Sequence, residues 1–252
     1  MNVINPTSAH IPALRRLWKL AFGDEDAFLD LFFAHAFSPD RCRCIMEGDS
    51  LAAAHYWFDT ECRGQKFAYL YAVATDPDYR GRGLCRALTE DLIRILPQQG
   101  YHGIILVPQN ESVIAMYRKL GYVDCTQMTE ISIPGADLGL SLQQITADRY
   151  AALRRGLLPP GSIIQDGQNL PFLSSLYAFF SFGSSIAAVH LEKGVLHCQE
   201  ILPNSDAAAG LVHALGCTLG KFRIPGSGRL FTQYMPLCPD CVKPTYFAFA
   251  YD

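Results

Sequence analysis

Apolar positions along the chain switch between two periods, and the switches divide its first half into helices and strands. The run VIN is a short strand. Behind Ser8, a residue suited to capping a helix, Ile11, Leu14, Leu17 and Trp18 recur at helical spacing. DEDAFLDLFFAHAF follows as a second helix, opened by acidic residues at its electropositive end. RCRCIMEGDSLAAAHYWFDTE reads as two strands around a GDS turn. QKFAYLYAVATD, apolar, aromatic and β-branched throughout, reads as a central strand. Leu84, Leu88, Leu92 and Leu96 then stand four residues apart on a helix that Pro97 and Gly100 end. HGIILVP is the next strand, and NESVIAMYRKLGY a short helix capped by Asn110 and stopped by Gly121. YVDCTQMTEISI supplies the last strands of this unit.

The turn-rich stretch PGADLG marks the expected boundary between a first unit over 1–135 and a second over 136–252. The second half begins again with a helix, ADRYAALRRGLL. SIAAVHL and VLHCQEIL are strands around an EKG turn, SDAAAGLVHAL is a capped helix, and RLFTQYMPL and TYFAFAYD close the chain as strands. The order loosely repeats that of the first half. Between Gly167 and Leu191 there is no Asp, Glu, Lys or Arg, which is long enough to cross a bilayer. Pro171, Gly183, His190 and the serines at 174, 175, 181, 184 and 185 argue instead for a buried helix, a turn at FGSS and a buried strand. No membrane contact is expected.

Half of the 252 residues are hydrophobic, so there is ample material for a core, and disorder is excluded. A net charge of −3 argues against a dedicated nucleic-acid binder. MNVINPTSAH lacks the basic start and apolar run of a signal peptide. Nine cysteines, an odd number without a regular framework, read as reduced thiols in a cytoplasmic protein. CPDC, with Cys238 and Cys241, has zinc-like spacing, as the pair Cys42 and Cys44 does less clearly. No further Cys/His pair stands at finger-like spacing from CPDC, so no metal is expected.

The sharpest chemical feature is the loop in TDPDYRGRGLCRAL, where a strand runs through two glycines and three arginines into a helix. Such a turn presents backbone N–H groups at a helix start, where peptide dipoles favour negative charge. Gly81 and Gly83 permit a tight turn and close approach of a bulky anion, and Arg80, Arg82 and Arg86 add charge. A phosphate or pyrophosphate ligand follows. The Gly-Lys-Ser/Thr of a nucleotide P-loop is absent, and Arg86 stands where a dinucleotide fold wants its third small residue.

Arg80-Gly81-Arg82-Gly83-Leu84-Cys85 resembles the Arg/Gln-x-x-Gly-x-Gly/Ala signature of the GNAT acyltransferase superfamily, which binds the pyrophosphate of coenzyme A. VATDPDYRG is similar to that family's fourth strand and its exit, NESVIAMYRKLGY to a later segment, and LRRLWKLAFGDEDAFLDLFF to the opening helices of a tandem subgroup. Cys85 departs from the signature as a small apolar substitute. A reactive thiol at this helix start is the other reading.

The resemblance implies an α/β fold with a mixed sheet, in two tandem units of which the C-terminal one is degenerate. It implies acetyl transfer from acetyl-coenzyme A to an amine of a small molecule or peptide by direct attack. The edge at Val73, Ala74 and Thr75 would polarise the thioester and pair with the pantetheine. Arg80, Gly81, Arg82, Gly83, Leu84, Cys85 and Arg86 would hold the pyrophosphate, and Asn110 would cap its helix and bond the pantetheine. Tyr117 would return a proton to the leaving thiolate. The base is left open among Glu61, Glu130, a water chain, His55 and Asp252. No nucleic-acid or membrane partner is implied, and a homodimer is compatible. The alternative is a non-catalytic acyl-coenzyme A binding or sensing protein.

Overall fold

Trp18, Leu17 and Leu14 lie on one buried stripe of the first helix, as their spacing requires, and the stripe meets an aromatic sheet face. The computed structural model describes residues 2–251. Its chain forms two units, one of Met1–Asp124 with Gln233–Lys243, the other of Cys125–Thr232 with Pro244–Asp252.

The first unit opens with β1 (Asn2–Ile4), α1 (Ile11–Phe22) and α2 (Asp26–His35). Ser8 begins a short 3-10 turn ahead of α1 and does not cap it. The strands β2 (Cys42–Glu47), β3 (Ser50–Cys62) and β4 (Gln65–Thr75) form the expected antiparallel meander. Then come α3 (Leu84–Ile95), β5 (Tyr101–Leu106), α4 (Glu111–Lys119) and the short β6 (Val123–Asp124). Trp18 packs against Phe32 at 4.5 Å and Tyr56 at 5.3 Å between ring centroids. Elsewhere in this unit, Leu92 and Leu96 of the helix after the glycine loop cluster with Trp57, Leu70 and Tyr117, all buried. Truncating one such leucine to alanine removes about 2–5 kcal/mol.

The second unit contains β7 (Gln127–Pro134), β8 (Gln143–Ile145), α5 (Ala147–Leu157) and α6 (Leu170–Leu176). It continues with β9 (Ala178–Phe182), β10 (Ser185–Glu192), β11 (Val195–Leu202), α7 (Ala208–Ala214), β12 (Leu219–Pro225) and β13 (Arg229–Leu230). The chain then returns to the first unit as β14 (Gln233–Pro236). The uncharged segment resolves into α6, a turn and the pair β9–β10, and no described helix is long and apolar enough to cross a membrane.

The two sheets repeat one plan. The first runs β1-β2-β3-β4-β5-β14-β6, and the second β13-β7-β12-β11-β10-β9-β8. In each, an antiparallel meander ends in a strand that pairs in parallel with the next across a helix: β4 with β5 around α3, β11 with β12 around α7. This is a mixed α/β fold built twice.

Three expectations need correction. The QMTEISI run, assigned to the first unit, forms β7 of the second sheet, pairing with β12 from Leu219–Pro134 to Pro225–Met128. The chain therefore changes unit at Asp124/Cys125, ahead of PGADLG. RLFTQYMPL is not one strand but two, β13 and β14, in different sheets. TYFAFAYD is not a strand over its described residues: it makes one bridge, Tyr246 with Ser162, and buries Phe247, Phe249 and Tyr251. LGKFRIP is a strand, β12, although its glycine, charges and proline mask the alternation. Its Gly220 is dictated by packing, since a Cβ there would stand 2.5 Å from Val212 and 2.6 Å from Phe222.

Candidate functional site

Ala74 faces Ala54 across the β3–β4 pair, but the next pair is Tyr71 with Tyr56. β4 thus carries an extra residue opposite His55, and Ala72 takes a left-handed φ of 47°. Such a bulge re-aims the strand beyond it. On its other side β4 pairs with β5 only from Lys66–Tyr101 to Leu70–Leu106. Among the described residues, the edge of Val73–Thr75 has no strand paired to it on this side.

The loop after Thr75 is tied down by its own residues. The carboxylate of buried Asp76 accepts the Asp78 N–H at 3.1 Å and the Arg16 guanidinium at 3.4 Å. Arg80 Nε donates to the Thr75 carbonyl at 3.3 Å. Gly81 and Gly83 take φ of 76° and 77°, and the first backbone bond of α3 runs from the Ala87 N–H to the Gly83 carbonyl at 3.0 Å. Among the described residues, no amide from Gly81 to Arg86 donates to another backbone carbonyl. These donors sit at the electropositive end of a twelve-residue helix.

A cleft of about 500 Å³ opens on this edge and loop. Val73, Ala74, Thr75, Arg80, Gly81, Gly83, Leu84, Cys85 and Arg86 line it, which brings together most of the residues singled out in the sequence. Arg82 does not line it. Its guanidinium donates to the Asp78 carbonyl at 3.2 Å and lies 4.9 Å over the Tyr79 ring, which braces the loop. Asn110 does not line it either; its Oδ1 accepts the Val113 N–H at 3.1 Å and so caps α4 as expected.

The rest of the wall was not anticipated. Phe22 ends α1, Gln109 precedes α4, and Val113, Met116 and Lys119 come from α4. Lys119 adds an exposed cation beside Arg80 and Arg86. Its only sequence signal was a lysine in the last turn of an amphipathic helix, which marks a solvated face equally well.

Cys85 is half-buried, and its burial pushes the thiol up to about 11, partly offset by a hydrogen bond involving Thr89. Burial disfavours the thiolate, so the small-residue reading fits better than the reactive thiol. Tyr117 is 4% exposed, stacks edge-on with Tyr122 at 5.0 Å, and lies near Cys85 behind the cleft wall. Burial first, then the Cys85 and Tyr122 groups, holds its phenol protonated well above the ordinary range.

The base candidates are scattered. His55 is fully buried with neither ring nitrogen partnered, and burial lowers its pKa to about 3. Glu61 accepts the Gly64 N–H at the hairpin end of β4, away from Thr75. Glu130 belongs to the second unit and pairs with Arg229 at 3.0 Å. Asp252 lies outside the described residues. Among the described residues, no Asp, Glu or His lines the cleft. In the second unit the exit of β11 runs through Pro203–Ala207 into a seven-residue helix without a glycine-arginine loop.

Residues 11–122 match the sequence model of the acetyltransferase (GNAT) family. This part of the chain is a GNAT domain. A 61-residue stretch is 43% identical to the mycothiol acetyltransferase of Saccharomonospora viridis, covering 23% of this chain and 20% of that protein. A 61-residue match, 41% identical, joins the chain to the ribosomal protein bS18-alanine N-acetyltransferase of Escherichia coli K12, over 23% of this chain and 41% of that one. The matches thus span less than half the length of either relative. A GCN5-related N-acetyltransferase from Kribbella flavida superposes with a TM-score of 0.73 at 16% identity, over 92% of this chain and 70% of that one. A tandem GNAT protein from the clavulanic acid biosynthesis pathway gives 0.57 at 12% identity, over 95% and 99%. At these identities the structural likeness is one of fold, and it extends over both units.

Proposed function

We propose that the first unit binds acetyl-coenzyme A in this cleft and transfers its acetyl group to an amine of a small molecule or peptide. One observation carries the reading: an unpartnered strand edge, a run of free helix-start amides and three cations all border a single cleft. The amides and cations suit the pyrophosphate, and the edge of Val73–Thr75 suits the pantetheine amides and the thioester oxygen. One relative is named for mycothiol and the other for an alanine of a ribosomal protein, which supports keeping both acceptor classes.

In the reaction the amine nitrogen bonds to the thioester carbonyl carbon and the carbon–sulfur bond breaks. The carbonyl oxygen carries negative charge in passing and is met by the edge amide at Val73. The amine proton leaves to water, since no side-chain base lines the cleft among the described residues. The departing thiolate takes a proton, and Tyr117, kept protonated by burial, is the group assigned to supply it. The test is thiol release from acetyl-coenzyme A over an amine panel, where saturable turnover with at least one amine is expected.

The absence of a carboxylate or histidine from the described lining favours a second reading, an acyl-coenzyme A binding protein without catalysis. Tight binding with no turnover across the panel selects it. Loss of turnover in Tyr117→Phe with binding retained selects the enzyme.

A further inference from the structure

CPDC has no finger-like partner in the sequence, yet the fold supplies one. As β14 ends, Leu237 N–H donates to the carbonyl of His102, at the start of β5, at 2.8 Å. The next residue is Cys238, whose thiol approaches the same carbonyl at 3.6 Å across a separation of 136 positions. A ring nitrogen of His102, the Cys238 Sγ and a carboxylate oxygen of Asp240 all lie within 4.8 Å of one another. The His102 Nδ1 is buried and has no hydrogen-bond partner. The Cys241 N–H donates to the Cys238 carbonyl at 3.2 Å, which places Cys241 on the same turn as a fourth donor next to that group of three.

We propose that His102, Cys238, Asp240 and Cys241 form a binding site for one zinc-class divalent ion. Two thiolates, an imidazole and a carboxylate make a four-donor set of mixed softness, which favours Zn²⁺ over Mg²⁺ or Ca²⁺. The two cysteines have the spacing that a tetrahedral site takes from one turn, and the third ligand arrives from a neighbouring strand. Binding needs both thiols to lose their protons, so two protons leave per ion bound and affinity rises with pH.

The frame around these donors is already held. Gln65, the first residue of β4, grips the turn from both sides, with its Nε2 to the Asp240 carbonyl at 2.9 Å and its Oε1 from the Val242 N–H at 2.8 Å. Gln65 and Val73 stand at opposite ends of β4, roughly 25 Å apart at the rise of an extended strand. The ion is therefore structural and remote from the cleft. It fastens the segment that follows β14 to the start of β5.

The test uses the full chain freed of metal by chelation and titrated with Co²⁺, then with Zn²⁺. The expected result is one Co²⁺ per chain with a near-ultraviolet thiolate-to-cobalt band and tetrahedral visible bands, all displaced by Zn²⁺. Zn²⁺ at a hundredfold excess over its dissociation constant raises the melting temperature by about 5 °C or more. The substitutions Cys238→Ser and Cys241→Ser, at half-buried positions, lose the thiolate band and the thermal shift while keeping acetyl-coenzyme A binding. Sub-stoichiometric uptake, cobalt spectra without a thiolate band, or an equal shift in both serine variants would overturn the proposal.

Discussion

Leu70 and Leu106 are the last residues to face each other across the parallel pair β4–β5, and Val73, three residues on, borders the open cleft. The bulge at Ala72 lies between them. Strand pairing stops where binding is proposed to begin, and the groups freed there are the ones that a pantetheine arm needs.

Gly83 has φ of 77°, and a Cβ built on it meets nothing within 4 Å. Glycine is needed there for its backbone, not for crowding by the protein. Gly83→Ala costs about 1 kcal/mol of stability from the left-handed conformation. A tryptophan at the same position projects into the cleft, and acetyl-coenzyme A affinity falls by at least about tenfold, or 1.4 kcal/mol. Titration beside a thermal melt separates the two effects.

Lys119 tests the charge contribution at a residue with no other evident duty. Lys119→Ala weakens acetyl-coenzyme A about fivefold at low salt, and the difference shrinks toward unity near 1 M salt as exposed charges are screened. A salt-independent loss would assign Lys119 a packing role instead.

Tyr117→Phe lowers kcat about a hundredfold with little change in acetyl-coenzyme A binding. An acid must be protonated to act, and the Tyr117 phenol is raised well above 10. Its contribution therefore persists as pH rises to 10 and is lost only beyond. An alkaline fall centred below pH 10 that disappears in the phenylalanine variant would contradict this assignment.

His55 makes folding sensitive to acid. Its folded pKa, about 3, lies below the ordinary 6.5, so between these values the unfolded chain binds the proton that the folded chain refuses. Stability is fully present above pH 6.5 and falls by up to about 1.4 kcal/mol per pH unit as pH drops through that window. His55→Leu removes this slope, and because both ring nitrogens are unpartnered it also raises stability at neutral pH. Denaturant unfolding at pH 7 and pH 5 measures both.

Arg154 and Glu200 form a buried bidentate pair in the second unit, at 2.6 Å and 2.9 Å, and the Tyr150 and Tyr246 hydroxyls donate to the same carboxylate at 2.6 Å and 2.9 Å. Removing one charge strands the other. Glu200→Ala costs about 3–5 kcal/mol by denaturant unfolding, and replacing both partners with apolar residues restores part of it.

The glycine loop, β4 and α3 were legible because their signals are contiguous: a buried strand, two glycines and leucines four apart. Lys119, Met116 and Phe22 were not, because which face of a helix lines a cleft is decided by packing. β14 was legible as strand within RLFTQYMPL, but its return to the first sheet was not, for the same kind of reason. Its four residues pair with β5 from Gln233–Leu106 to Pro236–Gly103, and no local pattern announces a partner so distant. His102 beside Cys238 is a further product of that return, hidden from any reading of cysteine spacing.

The most direct test of the account is a calorimetric titration of the intact protein with acetyl-coenzyme A, run beside Gly83→Trp at matched thermal stability. One site per chain is expected in the wild type, with affinity at least about tenfold weaker in the variant. Equal binding by both, or binding by neither, would contradict it.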